Sequence, residues 1–147
     1  MRDLAHDILV KRVLSPVATP ADNTAQVGQI IDRLGYDSLT YVIATGAIPD
    51  VDATFTVLLE ESDATNMAGA VAVADADMIS QTAGALPEAA ASFQFDSDDQ
   101  VRKLGYVGNR RYTRLTITPA LNASATLIAA VAVLGNPTSA PVVQAAA

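Results

Sequence analysis

The sequence predicts an all-β protein, an antiparallel β-sandwich with terminal arms, and three observations lead to that class. Segments that alternate apolar and polar residues recur at spacings of roughly 8 to 15 residues. Clusters of glycine, proline, asparagine and aspartate separate these segments, as turns between strands require. No stretch of the chain keeps the 3.6-residue period of a long amphipathic helix, so helical layers are not expected.

The N-terminal half contains three of the predicted strands. Residues 8–17 combine a β-branched run with two basic residues and end beside Pro16, which favours an opening strand at a sheet edge because proline interrupts a hydrogen-bonded ladder. Residues 38–44 and 54–60 alternate regularly and should each be buried on at least one side. Shorter strands or turns are expected at residues 26–31, 68–74 and 92–95. Turns and loops are expected at residues 19–23, 46–52, 61–66 and 96–100.

The least regular segment is residues 75–91. Its alanine-rich composition allows a turn of helix, but Gly84 and Pro87 limit the length of any helix there. The sequence leaves open whether a short helix forms.

Residues 101–118 predict a β-hairpin. Gly108 and Asn109 lie between two runs rich in β-branched and aromatic residues, and both residue types tolerate the positive φ that a tight hairpin turn needs. After the turn, Thr113, Leu115 and Ile117 alternate with polar positions, so one face of this strand should be apolar and the other polar and basic.

A final strand is predicted at residues 125–134, followed by a proline-containing tail. The predicted organisation is therefore a sandwich domain of residues 1–136, including the N-terminal strand, and an extended C-terminal tail of residues 137–147. Val142 and Val143 are apolar residues in that tail, and we expect them to be buried against the sandwich or a neighbouring molecule.

Composition limits the classes of function. The chain has 147 residues, enough for one domain with a sizeable core, and it has no cysteine, so disulfide bonds and thiolate metal sites are excluded. Nine basic and sixteen acidic residues give a net charge of −7, which argues against direct nucleic-acid binding. The apolar stretch at residues 123–134 is shorter than the ~20 residues of a membrane-spanning helix, and the N-terminus lacks the charge order of a signal peptide. We expect no membrane association.

Catalytic and cofactor sites are not expected. His6 is the single histidine and lies near the N-terminus, which disfavours a nucleophile and base pair. Residues 96–99, Asp-Ser-Asp-Asp, start like a calcium loop, but Val101 and Val107 stand where glycine and glutamate should be. The acidic residues near positions 60–63 and 75–77 would allow the paired carboxylates of a glycosidase. Few aromatic residues and no tryptophan are present to line a sugar cleft, which argues against that activity.

Basic residues are concentrated in one region of this acidic chain. Five of the nine basic residues lie between positions 102 and 114, among them Arg110, Arg111 and Arg114. One interpretation is a solvated sheet face where arginines pair with cross-strand carboxylates. The other is a basic patch that docks on an acidic protein surface through bidentate contacts. These three arginines, with Val142 and Val143, are the candidate residues for a protein interface.

A longer segment around the predicted hairpin resembles a known family. Residues 101–119, which include Leu-Gly-Tyr-Val-Gly-Asn-Arg-Arg-Tyr-Thr-Arg, are similar to the "GYIGxKRYxRxxxTxT" strand pair of small β-rich proteins from the structural-gene clusters of tailed bacteriophages. Residues 58–63 and 134–137 resemble other parts of these proteins more loosely. The usual glycine after Ser62-Asp63 is missing, and residues 83–91 form an alanine-rich insert. Relatives of this kind include capsid cement or decoration proteins.

The resemblance implies a non-enzymatic structural protein on the outer capsid surface, with jelly-roll-like connectivity preferred for the sandwich. Its expected partners are the major capsid protein and copies of itself, as a dimer or trimer, in a virion assembled in the host cytoplasm. No cofactor is expected. The alternatives are a head–tail connector or tail component and, from a different class, a ligand-binding β-sandwich module.

Overall fold

A computed structural model describes residues 3–145 as two antiparallel β-sheets packed into a sandwich. Strands make up 46% of the structure and helices 6%, which confirms the all-β sandwich. The strands are β1 Leu9–Ala18, β2 Gln26–Val27, β3 Ile31–Asp32, β4 Tyr36–Thr45, β5 Thr54–Ser62, β6 Val71–Ala72, β7 Met78–Ser80, β8 Phe93–Gln94, β9 Val101–Tyr106, β10 Tyr112–Ala120 and β11 Leu127–Pro137. A 3-10 helix spans Asp75–Asp77, and the α-helix α1 spans Pro87–Ala91.

The strands alternate between the two sheets along much of the chain. One sheet has five strands in the order β1-β11-β4-β9-β7. The other has six, with β2-β10-β5-β6 in order, β3 also pairing with β10 and β8 with β5. Every strand pair is antiparallel. The longest strands, β1, β4, β5, β10 and β11, form most of the two sheets.

The core is formed by the inward positions of both sheets. Alternation along β4 buries Leu39, Tyr41 and Ile43, and alternation along β5 buries Phe55 and Leu59. Since side chains of a strand point to opposite faces in turn, the same strands send every second residue to the surface. The predicted strands at residues 38–44 and 54–60 are confirmed, with slightly longer bounds.

The edge position of the first strand is also confirmed. Within the described residues, β1 pairs with β11 alone, and its register shifts between Arg12 and Leu14 and between Leu14 and Val17, beside Pro16. The predicted final strand at residues 125–134 is present with shifted bounds, since β11 spans Leu127–Pro137, and it lies between β1 and β4.

The hairpin prediction for residues 101–118 is wrong. β9 pairs with β4 and β7 in the five-stranded sheet, whereas β10 pairs with β5, β2 and β3 in the six-stranded sheet. Residues 107–111 therefore cross from one sheet to the other. Gly108 is not at positive φ, so the reason given for its turn role also fails. Both strands have an apolar face, and these faces meet across the core instead of lying side by side.

The irregular middle of the chain contains little regular structure. Residues 68–74 pair only at β6, which is two residues long. α1 begins at Pro87, a position that suits proline because the first helical N–H has no intrahelical partner. Neither helix of residues 3–145 has the length and apolarity needed to cross a bilayer.

Candidate interaction surface

The three candidate arginines form ion pairs inside the chain. Arg111 makes a bidentate contact to Asp32, with Nε–Oδ1 and Nη2–Oδ2 distances of 2.9 and 2.8 Å. Arg114 Nη2 lies 2.9 Å from Glu60 Oε2, and Glu60 is its direct cross-strand neighbour on β5. Arg110 pairs with Asp63.

These ion pairs reduce the free positive charge of the region. The hydrogen bonds from Arg111 hold the pKa of the Asp32 carboxyl below its ordinary value. The pKa of Arg110 is raised, chiefly by its hydrogen bond to Asp63. The Arg114–Glu60 contact is the cross-strand pairing that the first interpretation of this region described. A role of the three arginines in binding a partner stays a prediction.

Tyr106 connects the two sheets at the same end of the sandwich. Its hydroxyl donates to Glu61 Oε2 at 2.5 Å and accepts a hydrogen bond from the Arg110 backbone N–H at 3.0 Å. The Arg33 guanidinium lies over the ring, 5.0 Å from its centroid, and donates to the Gly108 carbonyl at 2.9 Å. Burial is the main cause that raises the pKa of Tyr106, so this hydroxyl stays protonated. The backbone of the segment between β9 and β10 is thus held by hydrogen bonds to the side chains of Tyr106 and Arg33.

The two candidate valines differ in burial. Val142 is 8% exposed, and its N–H donates to the His6 carbonyl at 2.7 Å. Val143 is 82% exposed. The Gln144 side chain both accepts from the Val10 N–H and donates to the Val10 carbonyl, each at 2.9 Å. Residues 142–144 therefore lie against the N-terminal segment and β1 of the same chain, and Val143 remains available at the surface.

The outward side of the five-stranded sheet, called here the outer face, consists mainly of small and β-branched residues. It is formed by Val10 and Arg12 of β1, Ala129, Val131 and Val133 of β11, Thr40, Val42 and Ala44 of β4, Val101, Lys103 and Gly105 of β9, and Ile79 of β7. Two rows cross this face in register. One is Val10, Val133, Thr40, Gly105 and Ile79, and the other is Arg12, Val131, Val42 and Lys103.

Long side chains are few on the outer face. Ile79, which is 56% exposed, lies over Gly105, where a Cβ atom would come within 2.9 Å of the Ile79 Cβ. A shallow depression of about 200 Å³ at this end is bordered by Asp37 and Lys103. Another, of about 230 Å³, lies at the far end of β4 near Leu127. Outside these depressions, the face offers a broad surface for packing.

The opposite surface of the sandwich is more polar. The outward positions of β5 and β10 pair Glu60 with Arg114 and Thr56 with Thr118 across the two strands. An alternation of apolar core and polar surface of this kind is what a solvated antiparallel sheet shows. The outer face of the five-stranded sheet departs from that pattern, because Val131, Val133 and Val42 occupy positions where polar residues are usual.

The structure gives other roles to the residues considered for chemistry. His6 Nδ1 lies 2.5 Å from Asp3 Oδ2 at the exposed N-terminus, and this contact raises the pKa of His6. Asp98 Oδ1 accepts a hydrogen bond from the Ile48 N–H at 2.6 Å. Among residues 3–145, no three histidine or carboxylate side chains lie close enough together to hold a metal ion.

Comparisons with known proteins give only distant structural likenesses. No protein-family model matches the sequence, and no curated protein matches it significantly. Among solved structures, a xylan-binding module, CBM15, is similar with a TM-score of 0.37 and 7% sequence identity, over 84% of this chain and 97% of that one. A likeness this distant says nothing about what the present chain binds.

Sequence reasoning missed the outer face, although a signal for it existed. Residues 38–44 and 127–135 are apolar or small at both odd and even positions, which marks strands that are not solvated on either side. Arg12 and Lys103 were not distinguished from the other basic residues, because their common face depends on the order β1-β11-β4-β9.

Proposed function

We propose that this chain is a non-enzymatic structural protein that binds the outer surface of a tailed-phage capsid as a cement or decoration protein and stabilises the shell. The observation that carries the proposal is the outer face, most of whose residues are valine, alanine or threonine. A protein that reinforces a shell needs a rigid body and a surface for another protein, and small and β-branched side chains of this kind suit the apolar centre of such an interface.

Two further features support the proposal. Residues 101–119 resemble a segment of phage capsid accessory proteins. The strand orders β1-β11-β4-β9 and β2-β10-β5-β6 also agree with jelly-roll connectivity, which occurs in viral capsid proteins as well as in lectins. We therefore infer a jelly-roll-like sandwich, while the function depends on the surface and not on the fold.

The same surface disfavours the ligand-binding alternative. Sugar-binding sandwiches use exposed aromatic rings as platforms, whereas Tyr41, Tyr106 and Tyr112 are each no more than 6% exposed. Tyr36 is half-buried and packs against the core. Among the aromatic rings of residues 3–145, Phe95 alone is exposed, at 41%, and it directly follows β8. No aromatic side chain stands on the outer face itself.

The proposed partners are the major capsid protein and further copies of this chain, as a dimer or trimer, on a virion assembled in the host cytoplasm. The test uses shells assembled from the major capsid protein encoded in the same genome, without this chain. Added protein should cosediment with the shells to saturation and raise their melting temperature, and shells already saturated provide the control. Electron microscopy of the complexes should show added density over the shell lattice. Density only at the portal or tail would identify a connector or tail component instead, and absence of binding would contradict the proposal.

A further inference from the structure

The basic residues differ in whether the chain already neutralises them. Arg110, Arg111 and Arg114 each pair with a carboxylate, so a partner would have to compete with those ion pairs. Within residues 3–145, Arg12 donates only to the Ser15 hydroxyl, and the Lys103 ammonium group makes no hydrogen bond or ion pair. Both are exposed on the outer face. Their charges are therefore free to meet an external carboxylate.

Arg12 and Lys103 stand at the two ends of one row. They are separated by Val131 and Val42, which are half-buried and hydrophobic. Neighbouring strands lie about 4.8 Å apart, so three strand spacings place the two basic positions about 14 Å apart. The outer face thus has an apolar centre with a cation on each side. This pattern matches the apolar core and polar rim of protein interfaces.

The two cations argue against a second copy of this chain as the occupant. If two outer faces stack about a two-fold axis parallel to the strands at the middle of the row, Arg12 of one copy comes over Lys103 of the other. If the axis runs along the row, each cation comes over its own counterpart. Either arrangement brings four positive charges into one desolvated interface, which is costly without partners. Asp37 borders the same depression as Lys103 and is the single carboxylate among the residues that line it.

We propose that the outer face, and not the segment of Arg110 to Arg114, is the surface that docks on the capsid, and that the capsid presents an apolar area flanked by two carboxylates. The inference rests on the proposed function and specifies its contact surface. Arg12 and Lys103 meet the carboxylates at the rim, while Val42, Val131 and Val133 pack on the apolar area. Charge-assisted hydrogen bonds at the rim orient the docking, and the apolar centre supplies most of the buried area.

The test compares two double variants that remove the same charge. Arg12→Gln with Lys103→Gln removes two positive charges from the outer face. Arg110→Gln with Arg111→Gln removes two positive charges from the segment between β9 and β10, which is the other candidate docking surface. Each is measured for binding to shells of the major capsid protein encoded in the same genome, after melting curves confirm folding. The first variant should bind at least tenfold more weakly and lose the salt dependence of its association rate. The second should bind within about twofold of wild type. Arg12→Lys with Lys103→Arg should retain binding, because charge is kept.

The possible results separate the contact surface from the function. If the wild type binds and neutralising Arg12 and Lys103 has no effect, the outer face is not the contact and the capsid role stands. If Arg110→Gln with Arg111→Gln is the weaker binder, the interface lies at the segment between β9 and β10. If the wild type does not bind shells, the proposed function itself fails. Sedimentation velocity tests whether a second copy of this chain binds the outer face. The Arg12→Gln with Lys103→Gln variant should self-associate more strongly than wild type, because the repulsion between cations is removed. Wild-type dimers held by the outer face would overturn the inference.

Discussion

Replacing Gly108 by alanine should destabilise the fold through a steric conflict with the Tyr106 ring. A Cβ atom at position 108 would lie 2.5 Å from the Tyr106 hydroxyl oxygen and 2.7 and 2.8 Å from two of its ring carbons. Tyr106 is 1% exposed, and its hydroxyl is held by Glu61 and by the Arg110 N–H. The ring therefore cannot move away from the new methyl group without loosening these hydrogen bonds.

The expected loss is about 3 kcal/mol in the free energy of unfolding. Overpacking a well-filled site costs about 1–3 kcal/mol, and a hydrogen bond to a charged acceptor contributes about 1.5–3 kcal/mol, part of which is lost when the ring shifts. For a domain of this size each kcal/mol lowers the melting temperature by about 2–4 °C, so the decrease should be about 6–12 °C. Circular-dichroism melting and urea titration of the purified chain measure both quantities.

Two controls separate this cause from a general effect at the loop. Asn109→Ala changes the exposed neighbour and should stay within about 0.5 kcal/mol of wild type. In a Tyr106→Phe background, Gly108→Ala should cost less, because the ring no longer has hydrogen bonds to lose. A Gly108→Ala melting temperature within 1 °C or so of wild type would refute the explanation. An equal cost in both backgrounds would refute the part assigned to the Tyr106 hydroxyl.

Three further outcomes follow from burial and ionisation. Val142→Ala should lower the free energy of unfolding by about 1–2 kcal/mol and Val143→Ala by less than about 0.5 kcal/mol, because only the Val142 side chain is buried. Urea unfolding measures both values, and equal losses would contradict this reasoning. Burial raises the pKa of Glu88 above its ordinary value of 4.5, so wild-type stability should fall as the pH rises past that value. Glu88→Gln, whose amide oxygen can still accept from the Leu59 N–H, should flatten that part of the profile; an unchanged slope would show that another group is responsible. Dialysis against a chelator should leave the melting temperature unchanged, and a decrease reversed by calcium would reveal a missed metal site.

Local alternation was sufficient to predict the long strands, because burial of one face imposes a period of two on the residues. β4 and β5 show this period clearly, with Leu39, Tyr41 and Phe55 at inward positions. The edge position of β1 was also predictable, since Pro16 cannot take part in a ladder on both sides. These features depend on neighbouring residues alone.

The pairing of β9 and β10 was not predictable in the same way. Leu104 and Tyr106 of β9 and Leu115 and Ile117 of β10 are all inward-facing, which fits a hairpin as well as two strands facing each other across the core. Only the partners elsewhere in the chain decide between them, and β5 contributes nine residue pairs to β10. Gly108 fitted the hairpin for its tolerance of positive φ, whereas the structure requires glycine there for its lack of a side chain.

Charge on the surface depends even more on distant parts of the chain. The concentration of basic residues near position 110 suggested a docking patch, but the carboxylates that neutralise Arg111 and Arg114 come from Asp32 and Glu60, far away in the sequence. Arg12 and Lys103 lie far apart in the sequence, each beside another basic residue, and they share a face only because β11 and β4 lie between their strands. Whether a positive charge is available to a partner is therefore a property of the strand order. Arg110, Arg111 and Arg114 look available for docking in the sequence, yet in the fold each of them is already paired with a carboxylate of the same chain.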